Sequence, residues 1–325
     1  MPKTPSSPVT VLLPGGGGPA AICALKSLHM AGFAGRIVST DADPLSAAFH
    51  LADSYATLPP ISDSQFFDRA LEFIERERVT LIFPTSGFDI LVYSRRKAEL
   101  ESRGVTVAMS DHPAMKNCID KWRFYQLTRE HFSLPRTTLD PQDGVQFPCF
   151  VKPIAGKGSR GIAVCHTEAE LTDQMAARDD LLIQAYLPGE EYSIDVLSDL
   201  TGKALVAVPR VRLATKEGIS VKGRVVHDRQ LEQACLDLAD FLELKGPTCM
   251  QMRRDPNGEP RFLEVNPRMG GGAIFTTLAG INFASLLVSL AAGESVQIPA
   301  FKELTVLRYY EEIAINGAPE APNNK

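Results

Sequence analysis

The chain has 325 residues, 44% of them hydrophobic and 22% charged, with a net charge of −5 at pH 7. That balance is typical of an ordinary globular protein of two or three domains, and it leaves no basic face for nucleic acid. No apolar run approaches the roughly 20 residues needed to cross a bilayer, and Met1 to Pro8 carries no signal pattern. Cysteines 23, 118, 149, 165, 235 and 249 show no paired spacing. A membrane anchor, a disulfide framework and a zinc site are therefore not expected, and a cytoplasmic protein is.

Taken in chain order, Val9 to Pro14 reads as a strand that runs into Gly15 to Gly18, Pro19 and a helical run from Ala20 to Ala31. Further strands are predicted at Arg36 to Thr40, Val79 to Pro84 and Val105 to Met109, with helices at Phe66 to Arg78 and Asp89 to Arg103. Alternating strands and helices predict a parallel sheet covered on both faces, closing near Ser110. Gly15, Gly17 and Ala20 fit the dinucleotide spacing G-x-G-x-x-A, with Asp41 placed for a ribose. Against this reading, Pro19 removes an amide from the helix start, and four glycines serve any tight turn.

A helix from Lys121 to His131, capped by Asp120, follows. Gln146 to Pro153 is an apolar strand carrying Lys152, and it leads through Ala155-Gly156-Lys157-Gly158-Ser159-Arg160-Gly161 into a strand at Ile162 to Cys165. Strand, glycine-rich turn, strand is a hairpin rather than the strand-to-helix turn of a P-loop. Glycines let a backbone close over phosphates, and Lys152, Lys157 and Arg160 offset their charge; the alternative is a solvated hairpin tip. Leu181 to Tyr186, Glu190 to Ser198 and Ala204 to Arg212 are predicted strands, Asp228 to Leu242 and Ile281 to Leu290 helices, and Leu304 to Tyr310 a last strand. Gln184 to Val196 offers an extended backbone that suits an adenine edge, and a glutamate pair that suits ribose hydroxyls or plain solvent.

The run Phe262-Leu263-Glu264-Val265-Asn266-Pro267-Arg268 sets a carboxylate and an amide on one strand face, together with Phe262, since alternate side chains share a face. A buried Glu beside an Asn needs a cationic partner, and their hard oxygens suit Mg²⁺ shared with phosphates; an edge strand facing water is the alternative. Asp255-Pro256-Asn257-Gly258 is a hairpin signal. A two-residue turn puts Gln251 opposite Glu264, whereas a type I turn with Gly258 as a bulge shifts the register by one.

These pieces, in this order, resemble the ATP-grasp superfamily, most closely the branch that looks like the carbamoyl phosphate synthetase large subunit. The similarity covers roughly residues 9 to 312. It rests on Glu-Val-Asn-Pro-Arg at 264–268, Val-Lys-Pro at 151–153 with its glycine hairpin, and Glu-Glu-Tyr-Ser-Ile-Asp-Val at 190–196, with Asp120-Lys121 and Ser133-Leu134-Pro135 as a looser element. The fold it implies is a Rossmann-like domain at 1–110 and a two-lobed ATP-grasp fold, with a small lobe at 111–186 and a large lobe with the metal site at 187–325.

The resemblance also implies a nucleotide site in which Lys121, Lys152, Lys157, Gly158, Ser159 and Gly161 meet the phosphates, Ala185, Tyr186 and Leu187 border adenine, and Glu191 binds ribose. Gln251, Glu264 and Asn266 would hold Mg²⁺, two ions in all, with Mn²⁺ able to substitute. Arg268, with Lys152 and Asn266, would serve catalysis. From the residues themselves, Arg210 and Arg212 suit either a carboxylate clamp or a solvated strand face, and Gly271 and Gly272 allow close approach of an acyl group. The implied activity joins a small-molecule carboxylate to an amine through an acyl phosphate, and a homodimer is a family expectation. A phosphotransferase without ligation and a nicotinamide-dependent oxidoreductase are the alternatives. A full carbamoyl phosphate synthetase needs two such units and an ammonia source, and this chain has one unit.

Overall fold

The protein is described here by a computed structural model covering residues 9–87, 89–156 and 161–315. Lys157, Gly158, Ser159 and Arg160 of the glycine-rich run lie outside the described residues, as does the polar tail from 316.

Strands β1 (Thr10–Pro14), β2 (Arg36–Asp41), β3 (Ser54–Thr57), β4 (Leu81–Ile82) and β5 (Thr106–Val107) form a parallel sheet in the order β3-β2-β1-β4-β5. β1 is buried at every position, as expected of a central strand covered on both faces. Helices α1 (Pro19–Met30), α2 (Phe66–Arg76), α3 (Ile90–Arg95) and α4 (Lys97–Ser102) flank it. The long helix predicted at 89–103 is two short ones that meet at Arg96, and β3 was not foreseen.

Helices α5 (His112–Ile119) and α6 (Lys121–Thr128) follow. Asp120 caps α6 as expected, accepting hydrogen bonds from the amides of Trp122 and Arg123. Strands β6 (Thr137–Thr138), β7 (Cys149–Pro153), β8 (Ala163–Cys165) and β9 (Leu181–Ala185) make an antiparallel sheet in the order β6-β9-β7-β8, backed by α7 (Glu168–Ala177). β7 and β8 are the predicted glycine-loop hairpin, with Cys149 opposite Cys165.

The largest sheet is antiparallel, in the order β14-β13-β10-β11-β12-β15. Its strands are β10 (Glu191–Ser198), β11 (Ala204–Lys216), β12 (Ile219–Val225), β13 (Gly246–Arg254), β14 (Pro260–Asn266) and β15 (Leu304–Leu307). Helix α8 (Arg229–Phe241) packs Leu231, Cys235, Leu238 and Ala239 on it, a spacing that keeps one helix face on the core. Cys118, Phe124 and Phe132, from the stretch the sequence assigned to the small lobe, join this same core. Helices α9 (Ala273–Leu278) and α10 (Phe283–Ala291) carry the chain back against α1, where Ser27 Oγ and Thr277 Oγ1 lie 2.8 Å apart.

The cysteines are buried and free, and no helix among the described residues is long and apolar enough to cross a membrane.

Asp120 both starts α6 and sets the position of Lys121. Asp120→Ala should lower unfolding free energy by about 1 kcal/mol in urea titration, as loss of an N-cap does; an unchanged midpoint would refute the capping role.

Candidate functional site

The glutamate strand is ordered by the turn before it. The amide of Gly258 donates to the carbonyl of Asp255 at 3.0 Å, and Gly258 sits at φ +84, the left-handed region that glycine tolerates. Arg254 therefore pairs with Pro260 and Met252 with Phe262, the shifted register rather than that of a two-residue turn. A bulge at Leu263 then restores the phase, so Gln251 faces Glu264 after all. The same bulge corrects one expectation. Phe262, 1% exposed, points into the core with Val265, while Glu264 and Asn266 turn the other way into a cavity.

That cavity, of about 1270 Å³, lies among the three sheets. On β7, Cys149 and Val151 face their own core, and alternation turns Phe150 and Lys152 into the cavity. Lys152 is only 6% exposed. Its ammonium donates to Gln184 Oε1 at 3.0 Å and to the carbonyl of Leu263 at 3.1 Å, the group that the bulge sets free. Burial pushes the Lys152 ammonium down to about 8, against the pull of Glu264.

Lys121 Nζ lies 3.6 Å from Glu264 Oε2 and donates to the carbonyl of Gly156 at 3.2 Å. Burial alone would raise the Glu264 carboxyl, but Lys121, Lys152, Asn266 and Arg268 together hold it below the usual carboxylate range. Asn266 Nδ2 donates to Glu264 Oε1 at 2.9 Å, and Arg268 Nη2 reaches Asn266 Oδ1 at 3.5 Å.

Ala185, at the end of β9, and Tyr186 and Leu187, in the short link to β10, line the cavity. The Ala185 amide is taken by the carbonyl of Arg136, whereas the backbone groups of Tyr186 and Leu187 have no partner among the described residues. Glu191 opens β10 with its carboxylate bonded to Arg212 and 3.9 Å from Arg253. Gly161 sits at the foot of β8 and does not line the cavity, although Gly156 and Ile162 do.

The arginine clamp expected at 210 and 212 takes another form. Arg212 bonds Glu191 and the carbonyl of Gly218, and touches Gln251 Oε1 at 3.4 Å. Arg210, 2% exposed, is ion-paired with Asp195. Both guanidinium groups are held by the protein itself. Gly271 and Gly272 line the cavity as expected.

Sequence reasoning missed Gln184 and Arg253. A polar residue in the apolar run Leu-Leu-Ile-Gln carries the same signature as Lys152, and Arg253 lies opposite Glu191 once β13 is paired with β10.

The glycine turn of the first domain opens on the same cavity through Gly15 and Gly18. Its amides are spent internally: Gly15 and Gly16 donate to the carbonyl of Thr40, Gly17 to Asp41, and Gly18 to the carbonyl of Gly15. Asp41 also accepts from the amide of Asp43. No glycine amide of the turn is left to cradle a pyrophosphate, which counts against the nicotinamide alternative.

Among the described residues, no three His, Cys, Asp or Glu side chains converge as a metal cage. Glu264 offers one carboxylate, and Gln251 and Asn266 offer amide oxygens. This hard-oxygen set fits a Mg²⁺ ion shared with phosphates and is too poor in charge to hold one unaided.

Comparison with known proteins agrees with this geometry. Residues 177–313 match the family described as ATP-grasp in the biosynthetic pathway with Ter operon, and residues 12–108 match the PylC-like N-terminal domain. These two matches support an ATP-grasp protein similar to the carbamoyl phosphate synthase-like branch. The chain is 24% identical over 299 residues to the carbamoyl phosphate synthase large chain of Pyrococcus furiosus, which covers 83% of this chain but only 28% of that relative.

Solved structures share the fold of this chain. Biotin carboxylase of Campylobacter jejuni, in a β-γ-ATP complex, superposes with a TM-score of 0.70 at 17% identity, covering 89% of this chain and 72% of that one. The biotin carboxylase domain of Hydrogenobacter thermophilus 2-oxoglutarate carboxylase, solved with MgADP, ADP and bicarbonate, gives 0.71 at 18%, covering 89% and 70%.

The position of Lys152 generates a pH-dependent prediction. The charged ammonium is the form that attracts phosphate, so bound nucleotide holds its pKa above the value of the free protein. ATP affinity is then level below pH 8 and falls as pH rises beyond it, because binding must first restore the proton. Lys152→Met should weaken ATP by about 1.5–3 kcal/mol and abolish that fall in calorimetry from pH 6.5 to 9.5. An affinity profile identical in the two proteins would remove Lys152 from the phosphate site.

Proposed function

We propose that this protein is an ATP- and Mg²⁺-dependent ligase that activates a small-molecule carboxylate as an acyl phosphate and joins it to an amine. The observation that carries the reading is the convergence of Lys121, Lys152, Glu264, Asn266 and Arg268 in one cavity that also opens on the first domain. Among the described residues, the two lobes supply Lys121, Lys152, Arg212, Arg253 and Arg268 to it against Glu191, Glu217 and Glu264, while Arg210 is taken by Asp195 beneath. Such an excess suits a polyanion.

In this reading Tyr186 and Leu187 present backbone groups to the adenine edge, and Glu191, steadied by Arg212 and Arg253, meets the ribose. Lys121 and Lys152 neutralise the phosphates, and the glycine-rich hairpin covers them. Glu264, Asn266 and Gln251 would hold Mg²⁺ beside the phosphates, and the ion would supply charge screening for the transferred group. Arg268 faces the same region and stabilises the negative charge of the acyl phosphate.

Transfer of this kind asks the protein for alignment and charge neutralisation, with no protein nucleophile. Burial pushes the Cys249 thiol up to about 11, so the cysteine nearest these groups is inert. The first-domain end, with Asp41, Asp89 and the apolar side chains of Leu58, Ile61 and Phe66, accommodates the remainder of the substrate. A cytoplasmic setting with small-molecule substrates belongs to the same proposal.

A coupled assay for ADP across carboxylates, with and without amines, tests it. ADP release should require both partners; release with a stable phosphorylated product and no amine would instead establish a phosphotransferase. Glu264→Gln and Asn266→Ala should each lower Mg²⁺-dependent turnover by about 10²-fold or more with an unchanged circular dichroism spectrum. Full activity in either variant would withdraw the metal assignment.

A further inference from the structure

Beneath the turn Gly270–Gly272 lies a buried pair that the nucleotide chemistry does not use. Asp195 on β10 and Arg210 on β11 are each 2% exposed in their side chains and bonded to one another. Thr276 Oγ1 donates to Asp195 Oδ2 at 2.7 Å, and the Arg210 guanidinium lies 5.9 Å from the centre of the Phe275 ring. Asp195 Oδ1 and Arg210 Nε have no hydrogen-bond partner among the described residues. A buried ion pair with unpaired atoms is a poor source of stability, and apolar residues of similar volume commonly serve a core as well or better. Its position accounts for it better.

The turn rests directly on the pair. A Cβ at Gly270 would stand 2.8 Å from Asp195 Oδ1, and one at Gly272 would stand 2.7 Å from Arg210 Nη2 and 2.9 Å from its central carbon. From above, a Cβ at Gly271 would stand 3.1 Å from Pro19 at the start of α1, and the Met269 amide donates to the carbonyl of Pro84. The carbonyl of Gly271 accepts from Arg308. The turn is thus clamped between the large sheet and the first domain. The amides of Gly270, Gly271 and Gly272 have no acceptor among the described residues, and the turn lines the cavity two residues beyond Arg268.

We propose that Asp195 and Arg210 are positioning residues, which fix the height of the Gly270–Gly272 turn so that its backbone seats the carboxylate to be activated. The substrate part of this inference rests on the ligase reading above. The pair touches neither nucleotide nor substrate; it acts through the turn. Two of the three glycines are then explained by contact with a guanidinium and a carboxylate, not by chain flexibility.

Two variants approach the contact from opposite sides. Arg210→Lys removes the planar support, and Gly272→Ala pushes on it while leaving both buried charges in place, so one variant tests the idea if the other fails to fold. Hydrogen exchange of the peptide spanning 268–273 should accelerate in each by on the order of tenfold or more, with the other protected segments unchanged. With a carboxylate substrate in hand, its KM should rise by on the order of tenfold or more while that for MgATP stays within about twofold. Unchanged exchange at 268–273 in both variants overturns the positioning role, and so does a parallel rise of both KM values. If no carboxylate supports ADP release by the unaltered protein, the ligase reading fails, and hydrogen exchange still decides the positioning.

Discussion

A lysine ammonium buried at the meeting of two sheets is the constraint on which the site depends. Lys152 belongs to the four-stranded sheet, yet one of its hydrogen bonds goes to Gln184 of that sheet and the other to Leu263 of the six-stranded one. A charge taken out of water is costly unless it is met by dipoles and an opposite charge. Here both come from the far side of the cavity: the Leu263 carbonyl, freed from the ladder by a bulge, and the Glu264 carboxylate beside it. Straightening β14 would return that carbonyl to pairing and turn Glu264 toward the core. The bulge is therefore the local irregularity that makes the two lobes one site.

The elements that could be read from sequence are those whose chemistry is local. β7 and its glycine-rich hairpin, the capped start of α6 and the βα alternation of the first domain each carry their own signal in spacing and capping residues. Gln251 opposite Glu264 was also legible, though it arises through two compensating irregularities, a type I turn and the bulge, where one simple turn gave the same pairing. Phe262 was assigned to the wrong face for that reason, since strict alternation takes no account of an extra residue. Arg210 and Arg212 were misread for a different reason. A sequence shows two arginines on one strand face, but the carboxylates that occupy them, Asp195 and Glu191, come from a neighbouring strand whose register no local pattern fixes. Helix α5 was hidden because its packing surface is small: only Met115 and Cys118 are buried.

The first domain lines the site with backbone as well as with the carboxylates of Asp41 and Asp89. Its glycine turn has already spent its amides on Thr40 and Asp41, so it presents a closed, neutral surface to the cavity. Pro19, at the start of α1, supports the Gly270–Gly272 turn of the large lobe from the other side. A domain whose opening motif matches a dinucleotide fingerprint thus serves as a wall. The distinction lies in where each amide proton goes, which spacing alone does not reveal.

Charge within the site is stored in mutual pairs. Glu264 is balanced by Lys121 and Lys152, Glu191 by Arg212 and Arg253, and Asp195 by Arg210, so the cavity holds many ions at little net electrostatic cost. On the proposed function, an incoming triphosphate offers Lys121 and Lys152 a partner of higher charge than a single carboxylate. Glu264 is then released from two cations at once and becomes available, with Asn266, to the metal that accompanies the nucleotide. One carboxylate suffices under this arrangement, because the lysines that restrain it before binding are those that the phosphates draw away. A second carboxylate at position 251 would need a cation of its own in the resting protein, and Arg212 at 3.4 Å is already engaged by Glu191. The glutamine keeps an oxygen in place without adding a charge that the resting site would have to balance.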